Sequence, residues 1–173
     1  MQRLAVLMML ILTAGLIAQE EFSGPPQAKR GYELFFKAAD GVSCSACHAM
    51  KGKGTPAGPD LTKIAYLNPK AIVMAIFSSR TMYVQEFKLQ TGDTFPAMKA
   101  GEQGDVVKLY DLSKTPPQLR EVKKAEIDSM RDNNTWKHPV ESKGFSKEQL
   151  ADVIGYIKFA GAGDRKEVKP SDI

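Results

Sequence analysis

Residues 44–48 read Cys-Ser-Ala-Cys-His, and Cys44 and Cys47 are the only cysteines in this chain of 173 residues. The spacing C-x-x-C-H is the attachment signature of a c-type haem, in which each thiol forms a thioether with the porphyrin. The histidine that follows, His48, then lies under the iron as its proximal ligand. All three groups can reach one porphyrin only from a short helical turn. The pattern therefore predicts one covalently bound haem c, held by Cys44, Cys47 and His48.

Three other uses of a C-x-x-C pair are weaker for this chain. A disulfide across a two-residue gap is strained, and a thioredoxin-like redox pair requires a βαβ setting that the sequence lacks. A zinc site needs two further ligands, and with no other cysteine only His138 and carboxylates could supply them. Haem attachment is therefore the interpretation we adopt.

The first 18 residues form a second, independent signal. Arg3 precedes an apolar run from Leu4 to Ile17, and the small residue Ala18 marks a plausible cleavage point. The run is shorter than the about 20 residues that span a bilayer. Residues 1–18 are therefore predicted to be a signal peptide, with an uncleaved membrane tether as the alternative. Because covalent haem attachment takes place on the export side of the bacterial membrane, we expect a periplasmic or otherwise exported protein.

The remaining chain, from about Gln19 to Ile173, suits one domain of ordinary size. It carries 23 Lys and Arg against 20 Asp and Glu, because Arg3 leaves with the leader. The haem propionates would largely cancel this mild excess, so the charge predicts neither nucleic-acid binding nor attachment to a membrane surface. The sequence does not determine the oligomeric state.

The first helix is predicted from its apolar spacing. A polar, extended leader over residues 19–27 precedes a helix from about Ala28 to Ala39, whose apolar face includes Tyr32 and Phe35. At the other end of the chain, the charged residues 162–173 are predicted to form a flexible tail.

Two further helices are predicted from their starting residues. Asn68-Pro69 combines a preferred N-cap with a preferred first helical residue, and a helix is expected to continue to about Ser79. Ser146 opens the last helix, Gln149 completes a capping box, and the helix is expected to end near residue 161.

Between these helices, residues from about 82 to 127 show a different pattern. Thr91-Gly92-Asp93 and the stretch 101–105 predict turns, and Pro116-Pro117 predicts a break. The apolar runs between them predict three or four short antiparallel strands. We therefore expect a small β insertion before the last helix.

The order of these elements resembles a class I cytochrome c, in which the first and last helices cross beside the haem. Gly31 and Tyr156 stand where that family packs its crossing. The stretch Gly-Pro-Asp-Leu-Thr at 58–62 and the strand insertion resemble a narrower subgroup of haem-binding domains. The resemblance covers about residues 29–160. It implies a mainly α fold, the class I cytochrome c helical fold with a small antiparallel β insertion, in one domain over 28–161.

The resemblance also raises the question of the second iron ligand. In the resembled subgroup a methionine followed by proline supplies it, just before the final helix. This sequence has His138-Pro139 at the matching place. Neutral imidazole is a strong iron ligand, so we expect His138 to complete a His/His pair with His48. Met130 is the alternative ligand, and a loop histidine with no ligand role is a further alternative for His138.

Three more residues are candidates for contact with the haem. By resemblance, Pro59 and Leu61 line the His48 side, where a backbone carbonyl commonly accepts the N–H of the proximal imidazole. Trp136, the only tryptophan, precedes His138 by two residues and could cover the haem edge or bind a propionate through its indole N–H. Ordinary core packing is the alternative for Trp136.

An iron with two protein ligands has no free position for a substrate. We therefore expect a monohaem one-electron transfer protein, not an enzyme, which exchanges electrons with redox partner proteins. An open iron site would instead favour a haem enzyme or a gas-sensing protein. A haem subunit docked permanently on a larger redox complex is a third possibility.

Overall fold

The computed structural model describes residues 22–37, 43–77, 83–139 and 144–173. The described residues contain three α-helices: α1 over Pro26–Phe36, α2 over Pro69–Phe77 and α3 over Lys147–Ala162. They also contain short 3-10 helices at Cys44–Ala46, Lys63–Tyr66, Lys124–Glu126 and Pro170–Asp172. The leader over 1–18 and the expected helix ends at Ala39 and Ser79 lie outside the described residues. Within the described ranges, no helix is long and apolar enough to cross a membrane.

The two capping sites expected from the sequence begin their helices. Asn68 Oδ1 accepts a hydrogen bond from the N–H of Ala71 at 2.8 Å. The N–H of Gln149 donates to Ser146 Oγ at 3.2 Å, and the N–H of Ser146 donates back to Gln149 Oε1 at 2.9 Å. Each cap satisfies a backbone donor that the first helical turn leaves unpaired. Both predicted helix starts are confirmed.

Helices α1 and α3 cross with their backbones in close contact. A Cβ on Gly31 would lie 1.9 Å from the carbonyl oxygen of Asp152, so only glycine permits this approach. Phe35 is fully buried at the crossing, and its ring centre lies 5.2 Å from that of Tyr156. Arg30 and Asp152 add an ion pair of 2.8 Å across the two helices. The helix pair implied by the resemblance is present, with Gly31 and Tyr156 in it.

Seven β-strands lie between α1 and α3 in the described residues. They are β1 Ala49–Met50, β2 Lys53–Gly54, β3 Gln85–Leu89, β4 Thr94–Gln103, β5 Val106–Asp111, β6 Gln118–Lys123 and β7 Ile127–Asp132. Strands β1 and β2 form a small hairpin, and the other five form one antiparallel sheet in the order β6-β5-β4-β3-β7.

The five-stranded sheet is strongly curled. Its two edge strands, β6 and β7, are consecutive along the chain and are joined by only the short helix Lys124–Glu126. In a flat sheet the edges would be about 19 Å apart, since neighbouring strands are about 4.8 Å apart. The link from Lys123 to Ile127 spans at most about 14 Å. The sheet must therefore curl until its edges approach each other, and this encloses its inner face.

The enclosed face holds a hydrophobic core of its own. Alternate residues of the strands point inwards: Phe87, Leu89, Phe95, Ala97, Val107, Leu109 and Val122 are buried together, with Ile127 against them. None of them belongs to the helical core, which includes Phe35, Met50, Ile72, Ile154 and Ile157. The two cores are separate clusters.

The prediction of a mainly α fold is wrong. Of the described residues, 36% are helical and 27% lie in strands, and the strands form a five-stranded antiparallel sheet. The extra β structure comes from two places. Strand β4 runs ten residues, through part of the stretch 101–105 expected to be a turn. Strand β7 has the polar sequence Ile-Asp-Ser-Met-Arg-Asp, which shows no period-2 apolar pattern, and it ends at Asp132, beyond the expected end of the insertion near residue 127.

The C-terminal segment differs from the flexible tail expected over 162–173. Val168 is only 3% exposed, and its backbone exchanges two hydrogen bonds with the Gln27 side chain, at 2.7 and 2.9 Å. Gln27 lies in the first turn of α1, which begins at Pro26, within the leader expected to be extended. Ile173 also packs against the helical core. The tail is charged along most of its length, so these apolar contacts were not predicted from the sequence.

Candidate haem site

The two cysteines and His48 lie on one tight turn. The N–H groups of Cys47 and His48 both donate to the carbonyl of Cys44, at 3.2 and 2.8 Å. Both cysteines are free thiols. Burial raises the pKa of Cys44 to about 11 and also raises the pKa of Cys47, so both are uncharged at neutral pH. Apolar surroundings of this kind suit a thioether, which carries no charge.

The imidazole of His48 is oriented by the loop that follows it. Its Nδ1 lies 2.8 Å from the carbonyl oxygen of Pro59, so Nδ1–H donates and Nε2 carries the free lone pair. Burial lowers the pKa of His48, although the bond to Pro59 opposes this, and the ring is a neutral imidazole. A neutral ring with a free Nε2 is the form that binds a metal.

The backbone at Gly58 lies directly against this imidazole. A Cβ at Gly58 would be 2.6 Å from Cε1 of His48 and 2.8 Å from Nδ1. The loop is held there by hydrogen bonds from the N–H of Gly58 to the carbonyl of Cys47, at 2.5 Å, and from the N–H of Leu61 to the carbonyl of Ala49, at 2.9 Å. Gly58 thus lies directly against the His48 ring, a role that its place in the stretch 58–62 does not by itself predict.

Side-chain hydrogen bonds of Asp60 and Thr62 hold the end of this loop. Asp60 Oδ1 accepts from the N–H of Thr62 at 2.7 Å, and Thr62 Oγ1 accepts from the N–H of Lys51 at 2.8 Å. The hydrogen bonds from Thr62 hold the pKa of Asp60 below its usual value. Leu61 is half-buried and packs on the helical core, whereas Pro59 is exposed and contributes its carbonyl. These contacts explain why the stretch 58–62 follows the haem motif.

The structure brings His138 close to His48. The two ring centres are 5.8 Å apart and their planes differ by 29°. A bond from metal to imidazole nitrogen is about 2 Å long, so two imidazoles on opposite sides of one metal have ring centres about 6 Å apart. Burial, and to a smaller degree His48, lower the pKa of His138 to about 4, so His138 is also neutral. The observed separation of 5.8 Å is close to this value.

Trp136 lies beside His138. The two ring centres are 6.1 Å apart and the rings are nearly perpendicular, at 85°. Trp136 is half-buried, and its contact with His138 is an edge-to-face arrangement. This contact places Trp136 within the distal part of the site.

Met130 occupies a different position. It lies in β7, paired with Phe87 of β3, and its side chain is 53% exposed. Of the other methionines that the structure describes, Met50 is buried in the helical core, Met74 is 62% exposed on α2, and Met98 lies in β4. Met82 lies outside the described residues. The arrangement favours His138 over Met130 as the partner of His48.

Apart from Met130, the predicted site residues lie around His48 or next to His138. The described part of the chain holds no group of three or more His, Cys, Asp or Glu side chains arranged to bind a metal ion on their own. Two thiols on one turn, an oriented imidazole and a second imidazole at 5.8 Å instead fit a covalently attached haem.

Comparison with known proteins agrees with this fit. The sequence model of the cytochrome c family matches residues 28–111, which include most of α1, the haem motif, α2 and strands β3 to β5. This match supports a haem-binding c-type cytochrome, with haem c as its cofactor. It ends before His138 and α3, so it carries no information on the distal ligand. No curated protein matches the chain.

Proposed function

We propose that this chain is an exported monohaem c-type cytochrome that transfers one electron at a time, with His48 and His138 as its axial ligands. The observation that carries the proposal is the 5.8 Å separation of the two imidazoles, next to two free thiols spaced for haem attachment. The site has two nitrogen ligands of the same kind, so neither oxidation state needs a change of ligand. The bound haem supplies the one-electron couple.

The surrounding residues have distinct roles in this proposal. Cys44 and Cys47 attach the porphyrin through thioethers. The Pro59 carbonyl accepts the His48 N–H, which fixes the tautomer and makes the imidazole a stronger donor. His138 would supply the second ligand to the haem iron, where a thioether ligand would raise the reduction potential and an imidazole would leave it lower. We therefore infer a lower potential than His/Met ligation would give.

The cellular context is part of the same proposal. The apolar run over residues 4–17 and the haem motif both indicate export, so we place the protein in the periplasm, with redox proteins as its partners. We assign it to the subgroup of haem-binding domains that shares the stretch at 58–62 and a strand insertion. A closed, six-coordinate site is also the reason that we propose a carrier rather than an enzyme.

Electron paramagnetic resonance of the oxidised, haem-loaded protein tests the ligation, together with the near-infrared charge-transfer band. We expect a low-spin spectrum of the His/His type. His138→Ala should give a high-spin site that binds added imidazole, and His138→Met should move the near-infrared band to the His/Met position and raise the potential. Met130→Leu is the matched control and should leave both spectra unchanged. A His138→Ala protein with the wild-type low-spin spectrum would refute the assignment.

A further inference from the structure

The chain enters the curled sheet at the start of β3 and leaves it at the end of β7, and these two points are adjacent. Gln85, at the start of β3, pairs with Asp132, at the end of β7. One residue further out, the N–H of Asn133 donates to the carbonyl of Val84 at 3.0 Å, and Val84 is buried. The pairing of β3 with β7 therefore fixes the position of Asn133 at the end of the sheet.

The Asn133 side chain then organises the residues that follow. Its Oδ1 accepts three hydrogen bonds: from the N–H of Thr135 at 3.1 Å, from Thr135 Oγ1 at 3.0 Å and from the N–H of Trp136 at 2.9 Å. This is an Asx turn, in which the side chain of asparagine replaces a backbone acceptor. These hydrogen bonds constrain the backbone over residues 133–136.

The turn ends two residues before His138. Trp136 receives the last of its hydrogen bonds, and the Trp136 ring packs at 85° against the His138 ring, 6.1 Å between centres. The path from the sheet to the distal imidazole is therefore short, and each step is held by a contact: Val84 to Asn133, Asn133 to Trp136, Trp136 to His138.

We propose that Asn133 is the positioning residue for the distal ligand and that the five-stranded sheet is its rigid support. This inference rests on the proposed His48/His138 ligation. Asn133 does not touch the haem; it holds the segment that presents His138, and so keeps the imidazole from swinging away from the iron. The insertion then has a physical role, because it ties the segment that presents His138 to a sheet with its own hydrophobic core.

Cyanide binding to the oxidised, haem-loaded protein measures how often the distal position opens, since cyanide enters only when His138 has left. Asn133→Ala removes all three hydrogen bonds to Oδ1 but keeps the backbone bond to Val84. We expect its cyanide association rate, measured by stopped-flow absorbance, to rise about tenfold or more. Asn133→Asp keeps the acceptor oxygen and should stay within about twofold of the wild-type rate.

The control is a helix cap of the same chemistry in another part of the fold. Asn68→Ala removes the Oδ1 acceptor for Ala71 at the start of α2, so it destabilises the protein without touching the distal segment. Its cyanide rate should remain at the wild-type value. Equal acceleration in Asn68→Ala and Asn133→Ala would overturn the inference, because it would show a general loss of stability. An unchanged rate in Asn133→Ala would overturn it as well.

Thr135→Val provides a milder variant that loses only the hydroxyl bond to Asn133. We expect a smaller increase in the cyanide rate, of about two- to fivefold. If Asn133→Ala does not take up haem, the test rests on Thr135→Val. A wild-type cyanide rate in Thr135→Val overturns the inference. The wild-type resonance spectrum separates the two proposals: a spectrum without His/His ligation refutes the ligation, whereas His/His ligation with unchanged variant rates refutes only the role of Asn133.

Discussion

Replacing Gly58 by alanine should displace the proximal imidazole. The added Cβ would stand 2.6 Å from Cε1 of His48, whereas an ordinary contact of this kind is at least 3.4 Å, so the ring or the loop must move by about 0.8 Å. The imidazole of His48 donates the 2.8 Å hydrogen bond to the Pro59 carbonyl, so a shift of the ring or the loop should lengthen this bond. The structure therefore predicts a change at the iron as well as in stability.

The magnitude follows from the contacts that are lost. Overpacking at a well-filled position costs about 1–3 kcal/mol, which corresponds to a fall in Tm of roughly 2–12 °C for a protein of this size. Weakening the bond to Pro59 makes the imidazole a poorer donor to oxidised iron. A weaker donor stabilises oxidised iron less, and it affects reduced iron to a smaller degree. The reduction potential should therefore rise by an amount on the order of tens of millivolts.

Two measurements check this prediction on the haem-loaded protein. Spectroelectrochemical titration gives the potential, and thermal unfolding followed by circular dichroism gives Tm. Gly101→Ala is the matched control, because a Cβ at Gly101 meets no atom within 4 Å. It should leave both quantities close to wild type. The reasoning is refuted if Gly58→Ala keeps the wild-type potential and the wild-type Tm.

Two further predictions concern the fold. Gly31→Ala should lower the free energy of unfolding by about 2 kcal/mol in denaturant titrations, since its Cβ meets the Asp152 backbone. Gly155→Ala should cost less, because a side chain, that of Gln27, obstructs it rather than backbone, and equal losses would contradict this. The hydrogen bonds from Lys124 and Lys99 lower the pKa of Glu102 from 4.5 to about 2. Its stabilisation is therefore present above pH 4.5 and is lost as the pH falls towards 2, so Glu102→Gln should flatten the acid limb of a stability–pH curve over that window. A Gln variant with the wild-type acid limb would contradict this.

The haem motif is the part of the site that sequence predicts most directly. Cys44, Cys47 and His48 lie within five residues, so the helical turn that brings them together is a local property of the backbone. The helix starts at Asn68 and Ser146 were predictable for the same reason, since each cap acts over only three residues. His138 was predicted as the second iron ligand because it precedes Pro139 and the last helix, as the methionine ligand does in the resembled subgroup.

The fold class was not predictable in this way. Strand β7 is polar and lies almost entirely beyond the expected insertion, which was placed at about 82–127. It was missed because an edge strand gains its order from pairing, here with β3, rather than from its own apolar pattern. The positioning by Asn133 was missed for a related reason. Its side chain makes local bonds to Thr135 and Trp136, but its importance comes from the backbone bond to Val84, which is 49 residues earlier in the sequence.

The sequence by itself thus predicted the cofactor, the two attachment thiols and the proximal histidine, because their chemistry depends on spacing over a few residues. Only the tertiary structure decided that the rings of His48 and His138, 90 positions apart, lie 5.8 Å from each other. That distance depends on the α1–α3 crossing, the loop at Gly58 and the closure of a curled sheet with its own core. Each of these is made by contacts between distant parts of the chain, which no local pattern of residues specifies.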